Sequence, residues 1–383
     1  MKKRIYLDHA ASTFVYPEII KALPRVANQY GNPSSVHAEG RAARHIIDEA
    51  RMGIAQGLRV EPDQIIFTSG GTEGVYLAMI GAYTARKNLG IGKGKILISP
   101  VSHSCMTAAA LFLQKNFGVE IISFPITNEG FLDISIFPPE YYSEFDMIVT
   151  EHGNSELGLR QPVEGIGEIL QNISPHKRPI CIVDACASWG SEPFIFSELN
   201  TDVMILSGEK FGALKGTGMV IHRKGIFLEP LFSGAQEFGK RAGTENTIGI
   251  FSLGKAVTIQ LSEKKKFMTH CLALHQKLRL EFEHKFCSIK ILTPKTNFLP
   301  HIFSFLLSQK SGHDFVVFAD LNGISISSGT ACSSGGGKES RVLQSLGCSQ
   351  DESARGVRIS LGKTNTLNDI HDVCFVLNKF LSG

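Results

Sequence analysis

The sequence has little net charge, no long apolar run and no cysteine spacing of a metal or disulfide framework. Its 383 residues carry 39 Lys+Arg against 36 Asp+Glu, a formal net charge of +3, with no dense basic tract. That balance offers no electrostatic footprint for nucleic acid or an anionic membrane surface. A small, nearly neutral substrate is expected instead. No apolar stretch approaches the ~20 residues that cross a bilayer. The start, Met1-Lys2-Lys3-Arg4-Ile5-Tyr6-Leu7-Asp8, lacks the continuous apolar segment of a signal peptide, so a cytoplasmic protein is expected. The eight cysteines, at 105, 181, 186, 271, 287, 332, 348 and 374, include no Cys-x-x-Cys pair. Neither a zinc site nor a disulfide scaffold follows from them, no metal is expected, and most should be reduced, buried, apolar-like residues. Internal repeats and low-complexity tracts are absent too.

What is present is a 43% hydrophobic chain long enough for two cores, since a single core rarely grows beyond ~250–300 residues. Short β-rich runs alternate with helical patterns from about Gln64 to Val220: Gln64 to Thr68, Ile96 to Ile98, Met147 to Val149, Ile180 to Val183 and Val203 to Leu206. Continuous apolar runs suit strands covered on both faces, and their alternation with helices predicts an α/β fold with a mostly parallel sheet. Ligands of such sheets bind at the carboxyl ends of the strands. After about Ile250 the pattern becomes a long charged helix over Phe267 to Phe286, strands near Ile289 to Ile291, Ile302 to Phe305, Ile324 to Ile326 and Val357 to Ser360, and helices near Asp314 to Leu321 and Leu367 to Leu381. This reads as a smaller α+β domain. The expected division is 1–255 and 256–383, with about 1–15 packing on the smaller domain. Thr366 and Asp369 fit the N-cap of the last helix. The glycines of Ser333-Ser334-Gly335-Gly336-Gly337-Lys338 favour a mobile loop.

Three places could carry chemistry. Ser69-Gly70-Gly71-Thr72-Glu73 lies between a strand and a helix, where backbone N–H groups can face an anion. An ordinary turn explains it as well, and it lacks the Gly-Lys-Ser/Thr of a nucleotide-binding loop. Asp184 ends an apolar strand, placed to pair with a protonated ring nitrogen or simply to cap the next loop. Lys210 follows another strand end and precedes Gly212 to Gly218. Beside a phosphate site and partly desolvated, a lysine serves as nucleophile and base.

Taken together, these residues resemble the NifS/IscS-type cysteine desulfurases of the fold-type I (aspartate aminotransferase-like, class V aminotransferase) pyridoxal phosphate superfamily. The resemblance runs from Tyr6-Leu7-Asp8-His9-Ala10-Ala11 almost to the C-terminus. It takes in Gly31-Asn32-Pro33-Ser34-Ser35, Phe67 to Glu73, His103, Asn154-Ser155-Glu156-Leu157-Gly158, Val183-Asp184-Ala185, Ser207-Gly208-Glu209-Lys210, Arg241 to Asn246, Ser328-Gly329-Thr330-Ala331-Cys332-Ser333 and Val357 to Gly362. It implies pyridoxal 5'-phosphate held by Lys210, with Asp184 on the pyridine nitrogen. His103 stacks on the ring and moves protons, while Gly71, Thr72 and Ser207 hold the phosphate and Ser155 lies against the cofactor. Thr244 would reach the phosphate of a neighbouring subunit, which implies a homodimer. Arg358 would clamp the substrate carboxylate with Asn32 nearby, a task suited to a planar guanidinium.

By the same resemblance, Cys332 selects the reaction: its thiolate takes the sulfur of L-cysteine, leaving a persulfide and L-alanine. The sulfur then passes to an acceptor such as an iron–sulfur scaffold or tRNA-thiolation protein. Three positions depart from the family pattern. Glu209 replaces a phosphate-binding histidine, Ala187 replaces a glutamine that contacts the ring hydroxyl, and Ser155 replaces an asparagine. A carboxylate facing a phosphate is repulsive unless protonated or turned away, and each lost contact costs about 1–3 kcal/mol if it leaves a buried polar group unpaired. The alternatives are another pyridoxal phosphate-dependent lyase or transferase, or an impaired paralogue acting as a dimeric partner-binding protein.

Overall fold

Thirteen strands occur among the described residues: β1 (Ile5–Tyr6), β2 (Ile65–Thr68), β3 (Lys95–Ile98), β4 (Glu120–Ser123), β5 (Met147–Glu151), β6 (Ile180–Asp184), β7 (Val203–Ser207), β8 (Gly218–His222), β9 (Lys290–Ile291), β10 (Ile302–Leu306), β11 (Ile324–Ser325), β12 (Ser327–Ser328) and β13 (Gly356–Ser360). The computed structural model describes residues 4–192, 194–329 and 340–383. Cys332 and the glycine-rich stretch 333–338 lie outside them.

Seven strands form the main sheet in the order β2-β8-β7-β6-β5-β3-β4. Only β8 runs against its neighbours; every other pairing is parallel. The fold is therefore α/β with a mostly parallel sheet. Every residue of β5, β6 and β7 is buried. Successive side chains of a strand point to opposite faces, so the apolar runs feed two separate cores. Ile66, Ile96, Ile98, Val149, Ile182 and Ile205 pack under the helices Gly71–Asn88 and Ser104–Phe117. Phe67, Leu97, Ile148, Val183, Met204 and Leu206 pack on the other side, with Ile47 and Ile54 of the helix Ala38–Leu58.

A second sheet, β12-β13-β10-β9, is antiparallel throughout and carries its own core around Phe282, Phe303, Phe305, Ile359 and Val373. The N-terminal segment joins this part of the molecule: β1 pairs in parallel with β11, and Leu7 lies in the same core. The final helix, Leu367–Ser382, has the expected reciprocal cap, with Thr366 Oγ1 accepting from the Asp369 amide and Asp369 Oδ2 from the Thr366 amide.

Several elements differ from the sequence reading, among them β1 and the edge strand β4, which it does not include. The long helix spans Thr247–Lys285 rather than starting near Phe267. Its first turns, Gly249 to Gly254, are buried, with Gly254 against Ala50 of the helix Ala38–Leu58, and show no charged stripe, so the periodicity that marks an exposed helix is missing there. The run Ile324 to Ile326 is not one strand; β11 pairs with β1 and β12 with β13. Strand β8 was not expected. It lies antiparallel between β2 and β7 and so needs no crossover helix to announce it.

Candidate active site

The carboxyl ends of β2, β3, β5, β6 and β7 open into one cavity of about 450 Å³. Lys210, Asp184, His103, Gly71, Thr72, Ser207, Ser155 and Arg358 all line it, together with Ala10, Ala11, Ala187 and Glu209. A somewhat larger open groove, beside Phe282 and Cys287 at the edge of the small sheet, contains none of these residues.

Lys210 closes the short turn after β7. Its Nζ donates to the carbonyls of Ala10 (3.0 Å) and Ala11 (2.8 Å), so the N-terminal segment forms a wall of the cavity. Asp184 ends β6, and its Oδ1 accepts from the Cys186 amide at 2.9 Å. It thus caps the following turn, as one of the two readings expected, while lining the cavity. Glu151 is its register partner at the end of β5. It lines the cavity as well, and its Oε2 is buried with no hydrogen-bond partner. Burial pushes its carboxyl up, against hydrogen bonds from Gln161 and Ser99. His103 caps the helix Ser104–Phe117, its Nδ1 3.0 Å from Cys105 Sγ and 3.3 Å from the Cys105 amide.

Asn154 ties its loop together, donating to Val101 O and accepting from the Glu156 and Leu157 amides. That places the Ser155 carbonyl at 3.0 Å from Arg358 Nη1, while Arg358 Nη2 pairs with Asp8 at 2.9 Å. Arg358 is buried; two of its five N–H donors make these contacts, and its Nε is buried without a partner. Glu156, also on the cavity wall, accepts from Ser340 Oγ; burial pushes its carboxyl up.

At the other end, the Gly71 amide donates to Ser207 Oγ at 3.1 Å, and Ser207 Oγ donates to Glu209 Oε2 at 2.7 Å. Gly70 takes φ 156°, and a Cβ on Gly71 would sit 3.0 Å from Cys186 Sγ and 3.5 Å from Ser207 Cβ. Only a glycine leaves this cradle open. Glu209 is neither distant nor turned outward; its carboxylate lies on the serine expected to hold a phosphate.

Two expected residues are not brought into the cavity. Asn32 is exposed and its Oδ1 accepts from the Ser34 amide, a local turn that leaves it off the lining. Thr244 is exposed beside a separate small hollow with Ser69, Arg241 and Glu245. Conversely, the sequence reading passed over Glu151, Glu156, Cys105 and Cys186 as site residues. Glu151 carried a usable signal, since it ends an apolar strand as Asp184 does. The two cysteines carried none, because the burial that places them is tertiary. All seven described cysteines are free thiols, and burial together with Asp184 pushes the Cys186 thiol far up. Among the described residues no group of three or more His, Cys, Asp and Glu is placed to hold a metal, and no helix is long and apolar enough to cross a membrane.

Pyridoxal phosphate fits most of this arrangement. A primary amine, a buried strand-end carboxylate, a guanidinium and a glycine cradle share one cavity. The departures lie at Glu209, Ala187 and Ser155, all on the cavity wall, and of these Glu209 alone brings a charge of the wrong sign for a phosphate.

Comparison with known proteins identifies the family. Residues 5–373 match the family described as Aminotransferase class-V. Over 384 residues the chain is 33% identical to a protein named cysteine desulfurase IscS from Dictyoglomus turgidum, covering 100% of this chain and 95% of that protein. Its fold is similar to a solved structure titled NifS-like protein, with TM-score 0.88 and 26% identity over 99% of both chains. It is also similar to SspA in complex with cysteine, with TM-score 0.74 and 28% identity over 93% of this chain and 98% of that one. The chain therefore belongs to the class-V aminotransferase family and, within it, to the NifS/IscS-type cysteine desulfurases, enzymes that depend on pyridoxal phosphate.

Proposed function

We propose that this enzyme converts L-cysteine to L-alanine by passing the substrate's sulfur to Cys332. The carrying observation is the single cavity that holds Lys210, Asp184 and Arg358 and is lined by both Gly329 and Ser340, the residues that bracket the Cys332 segment. Lys210 holds pyridoxal phosphate, Asp184 faces its ring nitrogen, and Gly71, Thr72 and Ser207 receive its phosphate. When bound, the cofactor supplies an electron sink for bond cleavage in the amino acid. Arg358 suits the role of clamp for the substrate carboxylate because it lines the cavity and keeps N–H donors beyond those given to Asp8 and Ser155.

His103, with the Cys105 amide aimed at its Nδ1, is oriented to hold and move a proton through Nε2. The Cys332 thiolate attacks the substrate sulfur; the S–S bond forms as the carbon–sulfur bond breaks, and the carbon takes up a proton so that alanine leaves. Ser155 borders the cofactor through the loop that Asn154 fixes. Asn32 would have to move to join Arg358, and the exposed position of Thr244 suits a contact with the phosphate of a second subunit. This reading includes a cytoplasmic homodimer of 1–255 and 256–383 domains, delivering sulfur to an acceptor such as an iron–sulfur scaffold or tRNA-thiolation protein.

The test is alanine release from L-cysteine by protein saturated with pyridoxal phosphate. Wild type should release alanine, and Cys332→Ala should stop sulfur transfer while keeping the visible absorbance of the bound cofactor. No alanine, or sulfur transfer undiminished in Cys332→Ala, would overturn the proposal.

A further inference from the structure

The cradle that should receive a phosphate already holds an anion of the chain's own. Ser207 Oγ accepts from the Gly71 amide and donates to Glu209 Oε2, so one hydroxyl is satisfied on both sides. The neighbouring Ser69 amide is taken as well, by Glu73 Oε2 at 2.7 Å, and Glu73 is held there by Arg241 at 2.9 Å. Lys210, the cation next to Glu209 in sequence, turns its Nζ to the Ala10 and Ala11 carbonyls. Among the described residues no ion pair engages Glu209, so no cation offsets its charge by direct contact.

A phosphate dianion that accepts from the Gly71 amide and from Ser207 Oγ must take the position Glu209 uses. The Ser207 proton can go to only one acceptor, and two anions at this distance in a half-buried pocket repel strongly. Elsewhere on the cavity wall Asp184 and Arg358 are buried, and Lys210 holds its Nζ on the Ala10 and Ala11 carbonyls rather than on Glu209.

We propose that Glu209 is a built-in competitor for the cofactor's phosphate. Its carboxylate holds Ser207 in the empty cradle and must swing aside before the phosphate is seated. Glu209 thereby sets how much the phosphate contributes to cofactor binding. The inference rests on the pyridoxal phosphate reading of the site, and it makes this chain's grip on the cofactor weaker and more reversible than the cradle alone would give.

The experiment is a titration of apo-protein with pyridoxal phosphate and, separately, with pyridoxal, followed by visible absorbance. Glu209→Gln should raise the affinity for pyridoxal phosphate by at least about tenfold, because a like charge at hydrogen-bond distance is removed, and change that for pyridoxal by less than about twofold. Glu209→Ala, which leaves no polar end to engage Ser207, should do the same. Unchanged or weaker binding of pyridoxal phosphate in both variants would overturn the proposal, and so would an equal gain for pyridoxal. Absence of any cofactor band in wild type and variants with either compound would instead overturn the cofactor reading, and this inference with it.

Discussion

On one part of the cavity wall stand Asp184, Lys210 and Arg358, a carboxylate, an amine held on the Ala10 and Ala11 carbonyls and a buried guanidinium. On another, Gly71, Thr72 and Ser207 form a cradle of N–H and O–H donors and Glu209 lies in it. The first is complementary to an amino acid joined to a pyridine ring, whereas the second is complementary to a phosphate only once a side chain has moved. Substrate recognition and cofactor retention are therefore separable here, and substitutions at the two ends should have different signatures.

The largest effect is expected from Lys210→Ala. Loss of the one lysine that lines the cavity among the described residues, proposed to hold the cofactor, should lower alanine release by roughly 10³-fold or more and abolish the visible band of the bound cofactor. A variant that keeps both would remove Lys210 from the centre of the site. Next comes Arg358→Lys, which keeps a cation facing Asp8 but loses the fork and the free Nε. The Michaelis constant for L-cysteine should rise about a hundredfold, equivalent to about 3 kcal/mol, with cofactor affinity nearly unchanged. A fall in kcat alone would place Arg358 elsewhere in the cycle.

The smallest change is Gly71→Ala, which acts on the opposite end. Its Cβ would meet Cys186 Sγ at 3.0 Å, so pyridoxal phosphate affinity should fall by about tenfold, or about 1.4 kcal/mol, with the Michaelis constant for cysteine little affected. Adding Cys186→Ala, which removes the crowding sulfur, should restore part of the loss. A double variant no better than the single one would show that the cradle is closed by something other than Cys186.

Most of the sheet was legible because its strands are buried on both faces and read as plain apolar runs, and because strand ends in such sheets are where ligands bind. That logic located Asp184 and Lys210 from the residues alone and would have located Glu151 if applied to β5. The resemblance then supplied His103 and Arg358, which no local pattern marks, and Ser207, which ends β7 as Asp184 ends β6. Other features come from tertiary contacts. Strand β8 needs no helix before it, Cys105 and Cys186 reach the cavity only through packing, and Asn32 satisfies its side chain on Ser34 within its own turn. The conflict at Glu209 was visible as a charge of the wrong sign, but its partner was not. Only the folded chain shows the carboxylate bound to Ser207.

The desulfurase reading is tested most directly by mass analysis of Cys332 after the cofactor-saturated enzyme meets L-cysteine with no thiol acceptor present. One added sulfur on the peptide carrying Cys332, matched by one L-alanine per subunit, is expected. Alanine formed with no sulfur on that peptide, or no alanine at all, would contradict it.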